Sequence, residues 1–435
     1  MQAHRLHRPL RATLVVTCAL LLFAVSAGAQ VHLNVSKAFG QKVIVAVPLF
    51  EVEGGTIVDP SAVRDVLEFD LGHSGFFSIV ENREFVDETE TDDRISGRIA
   101  FQEWSALGAE ILVKGTIGGD LSEVYVEATV YDLAQGKAIF GRRYVGEREL
   151  WRDAVHSISD DIVFKLTGET GIAKTKIAFT STVTGFKEVY VMDYDGENRR
   201  RVTRQEAIAV SPDWFPGGQE IVYTLLLPNR HECRRATLDG QGSRISAFPG
   251  LNDFASPSPR GDEIVLALSK DGNTEVYRLR ADGSDPRRLT FGRSTESSPC
   301  WSPDGRRIAF VSDRSGVPQI YVMSSSGGTA RRVTLQGNYN TSPDWSPKGD
   351  LIVYVSRVSG VFQVCTVDVE TGEVTRLTSG AGQKEDPSWA RDGRHVVYSV
   401  KQGGKTDLYM IDIYELEPVR LTSGAGDYQS PAWSD

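Results

Sequence analysis

Catalysis needs reactive side chains that converge, and in this 435-residue chain the candidates are dispersed. His73, His156, His231 and His395 share no metal-ligand spacing. No Gly-x-Ser-x-Gly elbow occurs, so a serine hydrolase mounted on this fold has no support. Gly118-Gly119 and Gly327-Gly328-Thr329 fall in hairpin-like turns and lack the strand-to-helix setting of a phosphate loop. Asp304 and Asp392 recur in turns, where an aspartate accepts local backbone hydrogen bonds. A cation held by carboxylates at the centre of the fold is allowed by the sequence and predicted by nothing in it. No catalytic residue, cofactor or metal ligand is assigned. The residues that do recur point to recognition of another protein by loops on a rigid frame.

That frame is a repeat. SPDWFP (211–216), SPSPRG (256–261), SPCWSPDG (298–305), SPDWSPKG (342–349), DPSWARDG (386–393) and SPAWSD (430–435) share a proline as second residue, spaced by 45, 42, 44, 44 and 44. A period near ~44 residues with several strands per unit marks a propeller blade. In the best-formed unit, 298–301 is the first strand and Ser302-Pro303-Asp304-Gly305 a type I turn. The second, third and fourth strands follow at 308–312, 320–323 and 331–334. Trp214, Trp301, Trp345, Trp389 and Trp433 occupy equivalent first-strand positions, with Ser258 in place of the tryptophan in the second unit. One aromatic ring per unit suits packing between neighbouring sheets. The sixth unit breaks off after its first strand, 428–434, so its other strands are expected upstream at 176–181, 188–193 and 199–203. Closure by strands from both ends removes exposed sheet edges. The fold expected for 171–435 is therefore a six-bladed β-propeller closed by the C-terminal strand.

In such a ring, the loops leading from each fourth strand to the next first strand gather at one mouth of the channel. They differ in sequence while the strands beneath them repeat. They carry Leu251, Asn252, Phe254, Arg293, Glu296, Ser297, Asn340, Thr341, Glu385 and Tyr428. Amide, aromatic and arginine groups around one rim suit a protein ligand. A second surface is expected at the start of the mature chain. There Val31, Leu33 and Val35 alternate with His32, Asn34 and Ser36, a β-prone segment able to add to a partner's sheet edge.

Residues 30–170 lie outside the repeat and read β-α-β-α-β-β-β-α, a small α/β domain with a mixed sheet. Strands are expected at 43–50, 76–80 and 111–117, with a hairpin over 124–146 around Gln135-Gly136. Helices are expected from Asp59-Pro60 onward, over 99–107 and over 150–166. Residues 1–29 read as a secretory signal cleaved near Ala29: Arg5, Arg8 and Arg11, an apolar run over 14–25, then Ala27-Gly28-Ala29. A run of about 12 residues is too short to span a bilayer. Its removal takes away three arginines and no acid, moving the net charge from −10 to about −13. Nucleic acid and anionic membrane surfaces are then disfavoured as partners. Cys233, Cys300 and Cys365 are odd in number and fall in different repeats, so no disulfide framework is expected.

Together these features resemble the TolB family, the periplasmic component of the Tol-Pal system of Gram-negative envelopes. The resemblance rests on the signal, on VIVAVPLF (43–50), on LGHSGFFSIV (71–80) and on six SPxWSPDG…IAFxS…IYVM…RRLT units. It covers essentially all of the mature chain. It implies a periplasmic, non-enzymatic adaptor that supports outer-membrane integrity and constriction during cell division. The propeller mouth would bind Pal, the peptidoglycan-associated outer-membrane lipoprotein, with 248–255 and 292–298 as the facing loops. The segment Val31–Ser36 would contact TolA, an inner-membrane protein that transmits force from the proton gradient. Other outer-membrane lipoproteins or porins are further partners consistent with that role, and the chain would act as a monomer without a cofactor or a membrane span. The alternative from another class is a secreted carbohydrate-binding or lyase-like propeller enzyme, which would need histidine or carboxylate clusters in its channel.

Overall fold

The computed structural model describes residues 41–54, 58–120 and 122–435; the signal sequence and the segment 30–36 lie outside the described residues. The chain divides into two compact units, one ending at Gly168 and one spanning Glu169–Asp435. In the first, β1 (Val43–Ala46), β2 (Glu51–Gly54), α1 (Pro60–Gly72), β3 (Phe77–Ile79) and α2 (Arg83–Ser96) come first. Then follow α3 (Phe101–Ala106), β4 (Ile111–Gly119), β5 (Glu123–Asp132), β6 (Lys137–Glu147) and α4 (Trp151–Thr167). β3, β1 and β4 run parallel, β2 pairs with the far half of β4, and β5 and β6 continue antiparallel. The sheet is mixed, as expected. Strand alternation divides β1 and β4 between two cores. Val45, Val113 and Ile117 pack with α1 and α4, whereas Ala46 and Leu112 pack with Val86 of α2 and Trp104 of α3.

Two elements depart from the sequence reading. The strand expected over 43–50 stops at Ala46, just ahead of Pro48, which has no N–H to offer a ladder, and a separate strand begins at Glu51. No apolar stripe announces α2, because it buries little beyond Val86, Glu90 and Asp93. Its ends carry the signals instead: Asn82 Oδ1 accepts from Phe85 N at 3.4 Å, and Gly97 ends the helix at φ 66°.

The second unit is built from six four-stranded antiparallel sheets. Sheets 1, 2, 4 and 5 span 208–246, 252–288, 340–376 and 383–420, and sheet 3 is formed by Glu296–Trp301, Arg307–Ser312, Gln319–Ser324 and Arg331–Arg332. Sheet 6 joins Tyr428–Trp433 to Lys176–Ser181, Glu188–Asp193 and Arg200–Arg201, with Trp433 opposite Ile177 and Tyr428 opposite Ser181. Both ends of the unit thus share one sheet, as the interrupted repeat requires. Every first strand carries a bulge, and at each bulge one non-glycine residue stands at positive φ: Ser211, Phe254, Ser298, Ser342, Asp386 and Ser430.

These bulges correct the second anchor. Phe254-Ala255, not Ser256-Pro257, lies in register with Ser298-Pro299, so the anchors fall at 212, 255, 299, 343, 387 and 431. Pro257, not Ser258, then occupies the tryptophan position. Ser258–Gly261 forms the turn that Ser302–Gly305 forms in sheet 3, each closed by a 2.8 Å backbone bond from glycine N to serine O. Elsewhere three of the tryptophans tie sheets together. Trp214, Trp301 and Trp389 donate from Nε1 to the carbonyls of Ala432, Ser256 and Asp344 in the preceding sheet, at 2.9, 3.1 and 3.2 Å. At the tryptophan-free interface, Phe215 substitutes. It stands where the other sheets have Ser or Ala, and it packs with Ile264, Leu266, Leu268 and Tyr277 of sheet 2.

Candidate docking face and channel

The bulged first strands face the axis. Toward the loops that lead into them, they line a cavity of about 230 Å³ with Phe254, Asp213, Asp344 and Asp386 on its wall. Toward the opposite end, a second cavity of about 250 Å³ is lined by tryptophans, prolines and Asp435. Carboxylates in this setting resist ionisation. Burial, and then the charge of Asp344, push the Asp213 carboxyl up to about 7. Burial pushes Asp344 up to about 6, against hydrogen bonds from the backbones of Trp389 and Trp345 and from Ser388. Burial also raises Asp386 and Asp435. Among the described residues, the channel brings no three acidic, thiol or imidazole ligand atoms within 4.8 Å of one another. Asp304 and Asp392 hold turns: Asp304 accepts from Ser302 Oγ and Arg306 N, and Asp392 from Arg394 N and His395.

The loops at the mouth are shaped from below by a repeated seam between adjacent sheets. Near the start of the third strand stands Glu188, Glu232, Glu275, Gln319, Gln363 or Asp407. Across the seam, opening the next first strand, stands Ala209, Asn252, Glu296, Asn340, Lys384 or Tyr428 respectively. Asn252 Nδ2 donates to the carbonyls of Phe248 and Gly250 (2.7 and 3.2 Å). Asn340 Nδ2 donates to Gln319 Oε1 and to the carbonyl of Gln336 (2.8 and 2.9 Å). Lys384 Nζ caps the carbonyls of Ser379, Gly380 and Ala381 at 2.9, 3.0 and 2.7 Å, and burial lowers its pKa. The Tyr428 hydroxyl donates to the carbonyls of Ser423 and Ala425. Loop carbonyls pulled under a rim must find donors, and these side chains supply them.

The rim residues expected from sequence therefore divide. Asn252, Glu296, Asn340 and Tyr428 are buried, and the structure places them beneath the rim rather than on it. Arg293 is exposed, and Leu251, Ser297, Thr341 and Glu385 are half-buried. Phe254 is 37% exposed and looks into the channel mouth. Sequence reasoning passed over Phe291 (75% exposed), Leu335 (69%), Ile208, Val317, Val183 and Phe186. The available signal was apolar residues in loops where solvation alone would favour polar ones. The expected segment Val31–Ser36 lies outside the described residues.

Six sheets closed around a carboxylate-lined channel, with exposed apolar groups gathered in the loops at one end, define a β-propeller protein. A family model described as the TolB beta propeller domain matches residues 163–435, and one described as the TolB amino-terminal domain matches residues 31–139. The Tol-Pal system protein TolB of Desulfosudis oleivorans is 32% identical over 285 residues, 64% of this chain and 65% of that protein. The protein TolB homolog of Chlorobium chlorochromatii is 31% identical, over 66% of this chain and 67% of its own length. These matched stretches cover about two thirds of each relative. The crystal structure of TolB from Acinetobacter baumannii superposes with a TM-score of 0.78 at 26% identity, covering 91% of this chain and 97% of that one. The chain belongs to the TolB family. Among the described residues, no helix is long and apolar enough to cross a membrane.

Proposed function

We propose that this chain is a periplasmic adaptor that docks Pal on the loops at the propeller mouth and engages TolA through Val31–Ser36, in support of outer-membrane integrity and division. The observation that carries the first contact is the placement of exposed apolar side chains in the propeller. Val183, Phe186, Ile208, Phe254, Phe291, Val317, Leu335 and Tyr339 all lie where a fourth strand leads into a first, or a second into a third. Antiparallel order puts both connections at the same end of each sheet. Among the described residues of the propeller, only Tyr414 and Leu416, between the third and fourth strands of sheet 5, fall elsewhere. A one-sided apolar set rimmed by charged groups such as Arg293 and Glu385 suits a protein contact. The TolA contact rests on the alternating pattern of 31–36 and on family membership. Phe254→Ser combined with Phe291→Ser should weaken Pal binding at least ~10-fold, since each ring contributes on the order of 1 kcal/mol or more. Unchanged affinity with an unchanged melting temperature refutes the mouth assignment. Deleting 30–36 should abolish TolA association and leave Pal binding measurable.

A further inference from the structure

We propose that the seam between sheets 2 and 3 binds a hard divalent cation, Ca²⁺ in the first instance, through Glu275 Oε2 and Glu296 Oε2. The inference comes from comparing six copies of one seam within one molecule, and it does not depend on the adaptor reading. In the seams opened by Asn252, Asn340, Lys384 and Tyr428, the residue starting the first strand is a hydrogen-bond donor that caps carbonyls of the loop above it. In the seam that Lys384 opens, the donor is a full positive charge, resting on three backbone carbonyls with Gln363 as its neutral counterpart across the seam.

At the seam of sheets 2 and 3 the chemistry inverts. Glu296, an acceptor, takes the place of the donor, and its counterpart is Glu275, an acceptor as well. Acid faces acid at this seam alone among the described six. The repeat sets Glu296 across from Glu275 as it sets Asn340 across from Gln319. Both glutamates also hold the same short loop: Glu275 Oε1 accepts from Gly292 N (3.1 Å), and Glu296 Oε1 accepts from Ser294 Oγ (2.7 Å).

Each carboxylate is engaged through one oxygen only. Glu275 Oε1 is held by Arg288, and Glu296 Oε1 by Arg314 (3.0 Å) and Ser312 Oγ (3.1 Å). The other oxygens, Glu275 Oε2 and Glu296 Oε2, are buried without a hydrogen-bond partner, in side chains 0% and 1% exposed. A buried, charged acceptor left bare is costly. Asn273 Nδ2 already satisfies the carbonyl of Ser294 and, at 3.4 Å, touches that of Gly292. The carbonyls of Phe291 and Arg293 hold the loop positions that Lys384 caps in its own seam as those of Ser379 and Ala381. Two buried carboxylates on facing strands, each with one oxygen bare, supply hard oxygen donors, which suit Ca²⁺. The two arginines share the negative charge, so the affinity expected is weak, with Kd on the order of 10⁻⁴–10⁻³ M.

The test uses the mature full-length chain, stripped with a chelator and titrated with CaCl₂ and MgCl₂ by calorimetry and thermal unfolding. One saturable site is expected, with Tm raised by about 3–6 °C at about 10 mM Ca²⁺. Glu296→Asn installs the donor found at two other seams. It should abolish the response and raise the Tm of the metal-free protein. Glu275→Gln should abolish the response as well, and it stands in if Glu296→Asn fails to fold. The proposal is overturned if the wild-type protein shows no saturable response to Ca²⁺, or if the response survives both substitutions. A Tm that follows pH but ignores the cation would mean that the pair shares a proton, and it overturns the proposal too.

Discussion

Replacing Asp213 by asparagine should stabilise the propeller, and the gain should grow with pH. The carboxyl is walled in by the first strands and faces Asp344, and its pKa is raised to about 7. A folded pKa above the unfolded one means that the folded chain holds more protons between pH ~4 and ~7. Stability therefore falls as pH rises through that window and levels off above it. A rise from the ordinary ~3.9 to about 7 is a cost of up to ~4 kcal/mol above pH 7. Asp213 is only half-buried against the channel, and water there screens its charge, so we expect about 1–2 kcal/mol of this to be realised. The substituted amide cannot ionise, and its oxygen can still accept from Trp214 N, as Asp213 does at 2.8 Å. Urea unfolding followed by tryptophan fluorescence should show Asp213→Asn more stable by about 1–2 kcal/mol at pH 8 and by less than half of that at pH 5. Removing this charge also relieves its repulsive coupling with Asp344. An equal difference at both pH values, or a less stable variant at pH 8, would refute the account of the channel carboxylates.

Two further substitutions test the ring. Phe215→Ser gives sheet 1 the residue type of its counterparts without supplying the missing tryptophan at Pro257, so it should cost about 3–4 kcal/mol in urea unfolding. Were Phe215 only a surface ring, the loss would stay below ~0.5 kcal/mol. Trp433→Ala removes a side chain 5% exposed whose Nε1 donates to Thr175 Oγ1 at 2.7 Å. A loss of about 3–5 kcal/mol is expected by the same measurement, together with faster proteolysis within 176–203.

The propeller was legible because its period leaves little freedom: a first strand without followers must borrow strands, and 176–203 supplies them. The one slip came from SPSP at 256–259. It offers two serine-proline pairs, and neither is in register with the other anchors. The bulge, with Phe254 at φ 54°, sets the anchor at Phe254-Ala255 instead. At the mouth, the loops were legible but their roles were not. Asn252, Asn340 and Tyr428 look like contact residues by type, yet backbone carbonyls beneath the rim claim them first. A sequence shows which donors a loop has and not which carbonyls it must bury. The helix α2 escaped for the converse reason, since a segment that packs by one valine and two acids has no stripe to read.

The route by which the chain enters the ring decides how it bears a pull. Lys176–Ser181 is an inner member of its sheet, flanked by Tyr428–Trp433 on one side and Glu188–Asp193 on the other. Traction arriving along the residues ahead of Lys176 must shear two ladders at once instead of peeling one strand from a border. Lys176 and Ser434 add a reciprocal pair of 2.9 Å bonds at the point of entry. In the adaptor role proposed above, that makes the junction a place of mechanical strength.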